Sequence, residues 1–325
     1  MPVKNARLCK SVQYLSLRQL LILAARSLKY VMAPRPTVRI VRNRPAGEPL
    51  VSVIIATYNW STVLRFAIHS ILWQTEQNFE ILVVGDGCTD DSEAVVQSFG
   101  DARIRWHNLP VNAGHQTAAN NAGLAMARGR YIAYLGHDDV WHPQHVRTLV
   151  TAIEGAAHEV HFASSLVEMI GPKGSNYREI GGIYPEGGYA GAQGLPVSGL
   201  LHRRDVVEKI GEWKDYRTVW RNPDVDFVYR GHEAGLKFVS TRELTVFKFN
   251  SSIRKNCYVE KPCHEQAACV RRIQNQRTAM VREIVELGRV HLRRLPVQGP
   301  VIPPPPDPHT PGWRIPFYRK FRGLE

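Results

Sequence analysis

The sequence predicts an α/β protein built on a mostly parallel sheet, with extra helices before and after it. Three observations carry this. Short apolar, β-branched runs recur between residues 51 and 135, each followed by a stretch of helical period. The 325 residues are 44% hydrophobic, enough for a sizeable core. The charge is segregated: residues 1–47 carry ten of the 42 lysines and arginines and none of the 29 acids, so the remainder is nearly balanced.

The basic segment comes first. On a helical wheel Arg18, Arg26 and Lys29 share one quadrant, and Leu17, Leu20, Leu21, Leu28 and Val31 lie opposite. Such a helix suits an anionic membrane surface, its own domain or a partner subunit. Its apolar run, 20–25, is too short to span a bilayer. A basic arm beside a neutral core argues against nucleic-acid binding. Five cysteines without a C-x-x-C pair imply a reducing, cytoplasmic setting. Residues 1–48 thus read as an arm ending in a Pro-rich linker from 34 to 49.

The domain over 49–250 follows. Strands are predicted at 51–56, 79–84, 103–107 and 131–135, with helices at 62–73, 90–99, 116–127 and 143–153. Beyond 155 the alternation breaks. A strand is predicted at 159–164, a Gly/Pro/Tyr-rich loop at 171–200, helices at 206–210 and 223–234, and strands at 236–239 and 245–249. A helical extension occupies 251–295, with one long helix at 264–287. The tail, 296–325, holds four prolines at 303–306 and reads as extended. It ends in interleaved aromatics and cations, 313–322, a pattern suited to a membrane interface.

Four strand-end segments converge on one sheet edge: 57–59, 85–91, 112–114 and 136–139. Neither a G-x-G-x-x-G nor a P-loop pattern is present. The pair Asp138-Asp139 follows an apolar strand directly, which suits either a helix cap or a hard divalent cation. An acidic edge without basic phosphate ligands needs a metal to hold a diphosphate.

With these segments in order, the chain resembles the family 2 glycosyltransferases of GT-A fold. The match rests on VSVIIATYN at 51–59, VVGDGCTDDS at 83–92, NAG at 112–114, ARGRYIAYL at 127–135 and DDVWHP at 138–143, and continues to Asp224 and Asp226. The resemblance implies an inverting transfer of a sugar from a nucleotide-diphosphate donor, a UDP-sugar by preference, to a hydroxyl of a glycan or glycolipid acceptor. It implies a nucleotide site at Thr57, Asn59, Asp86, Asn112 and Gly114. It implies Mn2+ or Mg2+ at Asp138 with Asp139, and Asp224 as general base with Asp226 its competitor. His137 is either a further ligand or a group behind the ligands. Tyr184 and Tyr189 are acceptor candidates in a glycine-jointed lid. A cell-envelope polysaccharide pathway, peripheral on the cytoplasmic face of the membrane, is the expected setting. The departures are Gly136, where the family often has an acid, Gly85 before Asp86, and Asn120 in place of an arginine. They keep a rival open: a degenerate nucleotide-sugar or glycan-binding module.

Overall fold

A computed structural model describes residues 15–31, 37–38, 40, 47–184, 188–191, 194–275, 278–293 and 310–324. In chain order the elements are α1 (Leu17–Val31), β1 (Val51–Thr57), α2 (Ser61–Leu72), β2 (Phe79–Gly85), α3 (Ser92–Gln97), β3 (Ile104–Asn108), α4 (Gln116–Met126), β4 (Tyr131–Tyr134), β5 (Val140–Trp141) and α5 (His145–Glu154). There follow β6 (Phe162–Ile170), β7 (Arg178–Gly181), β8 (Leu200–Arg203), α6 (Val206–Ile210), α7 (Pro223–Glu233), β9 (Phe238–Phe249), α8 (Cys257–Glu260), α9 (His264–Asn275), α10 (Ala279–Leu292) and α11 (Arg314–Arg322).

The sheet runs β3-β2-β1-β4-β8-β6-β9-β5, with β7 on β6. Its first four strands are parallel, as the alternation requires. Their register aligns the C-terminal ends: Thr57 pairs with Gly85, Gly85 with Asn108, and Ile54 with Tyr134. β2 is buried along its whole length and β1 nearly so, hence their unbroken apolar runs. The remaining strands mix directions. β8 runs antiparallel to β4 and β6, and β5 antiparallel to β9.

Three expectations change here. The strands predicted at 236–239 and 245–249 are one, β9, whose pairing with β6 shifts register between Ser164 and Val167. Arg242 sits at φ 53 within it, and this bend imitates a strand end in the sequence. The helix predicted at 264–287 is two, α9 and α10. Residues 313–322, read as an extended tail, contain helix α11; the prolines at 303–306 lie outside the described residues.

α9 and α10 share one apolar core with the sheet, where Cys269, Val270, Met280, Ile284 and Leu287 pack with Val140, Leu166 and Phe247. A buried charge network backs it: Arg178 bridges Glu168 and Glu283, and Arg272 pairs with Glu283 at 2.7 Å. Burial pushes the Glu168 carboxyl up to about 7 against the pull of Arg178.

α1 packs on this same core. Its buried side chains are Leu20, Leu23, Ser27 and Tyr30, a face rotated from the one expected. Leu20 lies against Gly288 of α10, Arg26 donates to the carbonyls of Thr241 and Arg242 at 3.2 Å, and Lys29 pairs with Glu243 at 2.5 Å. Of the predicted apolar face, Leu17, Leu21 and Leu28 stand 57–61% exposed.

Candidate active site at the strand ends

The four strand ends do converge. Asp86, after β2, is buried and accepts from the Ala113 amide and the Asn112 side chain, both at 2.9 Å. It thereby holds the 112–114 loop across the edge. Burial raises its pKa, against those loop amides and the Arg319 charge, which favour the carboxylate. The loop presses so close that a Cβ on Gly87 would lie 2.5 Å from the Asn112 amide, and Gly87 sits at φ +70. Only glycine fits there. Asn59 is drawn into scaffolding, its Oδ1 accepting from the Thr89 amide at 2.7 Å.

Thr57 and His137 are partners: Thr57 Oγ1 and His137 Nδ1 lie 2.9 Å apart, and the other ring nitrogen, Nε2, meets the Tyr258 hydroxyl of α8 at 3.2 Å. Both imidazole nitrogens are thus engaged, and His137 is a strut joining β1 to α8. Burial pushes its pKa down to about 4, so the ring is neutral at physiological pH.

The two acids after β4 have separate fates. Asp139 is fully buried. Its Oδ1 accepts from the Phe249 amide at 3.0 Å, and its Oδ2 from Ser198 at 2.5 Å and Lys248 at 3.2 Å. That carboxylate is spent on joining the end of β4 to the turn before β8 and to β9. Burial still pushes its pKa up to about 6. Asp138 lies beside it with its backbone carbonyl held by Gln266 at 3.1 Å, and burial raises its pKa against the charges of Lys248, Arg254 and Arg322. Burial works against the Lys248 ammonium, but Asp139 and Asp138 outweigh it and its pKa is raised.

Gly136 now has a physical reason. A Cβ there would stand 2.7 Å from Asp139 Oδ2, so no side chain, and no family-type acid, fits while Asp139 turns inward. Among the described residues no three His, Cys, Asp or Glu side chains form a metal cage. A hard cation at Asp138 would take most of its shell from substrate phosphates, a pattern Mg2+ tolerates.

α7 begins with Pro223 at its first turn, and Asp224 and Asp226 follow. Asp226 is tied to Arg230 at 2.8 Å, whereas Asp224 Oδ1 accepts from the Val225 amide at 2.9 Å and its charge contributes to the raised pKa of Lys248. The tyrosines differ from expectation. Tyr189 is buried against Phe238 at 4.6 Å, and the Tyr184 hydroxyl is bonded to Ser164 at 2.6 Å. Their rings fill the wall under α7 because aromatic area there is worth more buried than exposed. Part of the expected lid, residues 185–187 and 192–193, lies outside the described residues.

Sequence reasoning missed Lys248, Ser198, Tyr258, Arg319 and Arg322. Lys248 had a signal, a lone cation between Phe247 and Phe249 in a strand. The others come from distant segments whose docking no local pattern states.

Residues 52–181 match the family model Glycosyl transferase family 2. An uncharacterized glycosyltransferase of Nostoc sp. is 34% identical over 174 residues, 49% of this chain and 52% of that protein. The Escherichia coli UDP-Glc:alpha-D-GlcNAc-diphosphoundecaprenol beta-1,3-glucosyltransferase WfaP is 39% identical over 92 residues, 28% of this chain and 36% of that one. The chain thus spans about half of the Nostoc protein and about a third of WfaP. The crystal structure of S. aureus TarS 1-349 in complex with UDP-GlcNAc superposes with a TM-score of 0.52 at 15% identity, over 73% of this chain and 72% of that one, and shares the GT-A type of fold. Aligned strand ends, a fixed order of acids and the matched segment agree: residues 52–181 form a segment of glycosyltransferase family 2 type.

Proposed function

We propose that the domain is an inverting glycosyltransferase that moves a sugar from a nucleotide-diphosphate donor, by preference a UDP-sugar, to a hydroxyl of a glycan or lipid-linked acceptor in surface-polysaccharide synthesis. The observation that supports this is that Asp86 and Asp138 follow the aligned ends of parallel strands, while Asp138 and, from the first turn of α7, Asp224 both act on Lys248. The relative WfaP is named for a UDP-glucose donor and a polyprenol-diphosphate acceptor, which agrees with the reading.

Asp86 and the Asn112–Gly114 loop receive the base and ribose. Asp138 would hold a divalent cation, which supplies Lewis-acid stabilisation of the departing diphosphate. Lys248, raised in pKa and fixed by Asp139, adds a preorganised positive charge to the same edge. Asp224 takes the proton of the acceptor hydroxyl as its oxygen attacks the anomeric carbon from the face opposite the leaving group. General-base help of this kind is worth roughly a hundred- to ten-thousand-fold. Asp224→Asn should lower transfer by at least about a hundredfold with donor affinity unchanged. Near-normal turnover in that variant would remove Asp224 from the base role.

The membrane contact, by this proposal, lies on α1 and α10. Leu17, Leu21 and Leu28 are exposed beside Leu20, which meets Gly288. Val285 and Leu292, 64% and 53% exposed, flank that same glycine on α10. α1 and α10 pack on each other, and Arg18, Arg282, Arg289 and Arg293 lie in or next to the same two helices. No described helix is long and apolar enough to cross a membrane. Flotation with phosphatidylglycerol vesicles tests the surface: the triple variant L17S/L21S/L28S should stay in the bottom fraction. Binding equal to the unmodified chain would exclude this face.

A further inference from the structure

The C-terminal helix α11 lies over the strand ends rather than in solvent. Arg319 Nη1 donates to the Gly114 carbonyl at 2.9 Å, in the loop that grips Asp86. One helical step on, the Arg322 guanidinium stands 5.6 Å over the ring of Tyr258, whose hydroxyl meets His137 at the end of β4. Residues three apart on a helix share a face, so the two guanidinium groups form one cationic edge. That edge reaches from the nucleotide loop towards Asp138, and both arginines act electrostatically on site groups: Arg319 on Asp86, Arg322 on Asp138 and His137.

The attachment of α11 combines polar contacts with partly buried aromatics. Ile315 is its one buried residue among those described. The backbone is pinned at Phe321, whose carbonyl accepts from Asn256 at 2.9 Å, and at Gly312, which abuts the Tyr216 backbone. Trp313, Phe317, Tyr318 and Phe321 are partly buried, and an element anchored by one fully buried side chain opens at lower cost than a core helix. Two arginines on such an element, aimed at an edge that already carries Lys248, bring three cations to the rim of the site, and guanidinium forks match phosphate oxygens.

We propose that α11 is the closing arm of the donor site and that Arg319 and Arg322 are ligands of a nucleoside diphosphate, contacting its phosphates. This rests on the nucleotide-donor reading above. Closure would lower the cost of charge growing on the leaving diphosphate and exclude water from the donor.

The test uses the full chain. UDP, with GDP and dTDP in parallel, and uridine are titrated calorimetrically into the unmodified protein and into R319Q/R322Q. UDP affinity should fall at least tenfold in the double variant while uridine affinity holds. In the unmodified protein, UDP should slow amide hydrogen exchange over residues 310–324 and uridine should not. A helix with a purely structural role would show neither the phosphate dependence nor the UDP-specific protection. Equal UDP affinity in the two proteins overturns the closing arm and leaves the donor reading intact. If the unmodified protein binds none of the three diphosphates, both readings fall together.

Discussion

The two ends of the described chain, α1 and α11, look alike in sequence and are used in opposite ways. Both are short, basic and free of acids, and both interleave cations with apolar or aromatic groups. α1 is seated by its apolar face: Leu20, Leu23 and Tyr30 join the core behind the sheet, and its cations tie to the backbone and Glu243 of β9. α11 is seated by polar contacts over the strand ends, with Ile315 its one fully buried side chain among the described residues and Phe317, Tyr318 and Phe321 partly buried. The difference teaches that a basic amphipathic pattern predicts a helix but not what the helix rests on. Burial of a periodic apolar face gives stability; guanidinium groups placed over acids give a site.

The comparison breaks most sharply in stability. Leu23→Ala removes a buried side chain from the α1 seat and should cost about 2–5 kcal/mol, read as a fall in the denaturation midpoint. Removing residues 310–325 should cost less, because Ile315 is the one fully buried side chain of α11 among the described residues. A loss from the truncation as large as that of Leu23→Ala would mean that α11 belongs to the core.

Acid comes next in size, and it should separate the two ends. Burial pushes His115 and His137 down to about 4, His202 likewise to about 4, and His142 and His145 to about 3. Unfolded, each titrates near 6.5, so the stability these neutral rings contribute is full above about 6.5 and is lost as pH falls towards the folded values, by up to about 1.4 kcal/mol per group and pH unit. Asp139 and Glu168, pushed up to about 6 and about 7, act with the opposite sign: their contribution is present near pH 4 and lost as pH rises through those values. Asp86 and Asp138, also raised by burial, act with the carboxyls, and His69, His161 and His291, also lowered, act with the histidines; the histidines outweigh the carboxyls, so net stability should decline below about pH 6.5. His115, whose proton is opposed by burial and by Arg322, lies under α11, while His142 lies 4.3 Å from Tyr30 of α1. Hydrogen exchange during acidification should therefore show α11 losing protection at a higher pH than α1. The reverse order would contradict the seats described.

The smallest effect is at the α1 surface. Leu17→Ser should change stability by no more than about 0.5 kcal/mol, since its side chain is exposed. A larger loss would show that this residue is covered, by a second copy or by chain outside the described residues.

The parallel half of the fold was legible because each strand, loop and helix there is encoded locally. The runs at 51–57 and 79–85 could be little else but buried strands, and Gly87 and Asp86 mark the turn they need. The antiparallel half was less so. β8 and β5 are short, and β9 bends at Arg242. Of the site, the acids on strand ends could be read in order, whereas the roles of Asp138 and Asp139 depended on partners over a hundred residues away. Nothing near Asp139 in the sequence tells that Lys248 and Phe249 will claim its carboxylate. Nothing near Asp138 tells that Arg322 will stand by it.

The crowding at Gly136 has a consequence for anyone redesigning the site. Restoring the acid common in the family, by Gly136→Asp alone, would drive its Cβ into Asp139 Oδ2 and so compete with the latch that Ser198, Lys248 and Phe249 close on that carboxylate. The lost acid and the inward-turned one are alternatives for a single volume. A route back to a two-acid edge must first find Lys248 another counter-ion, so position 136 can change only as the second step of a pair.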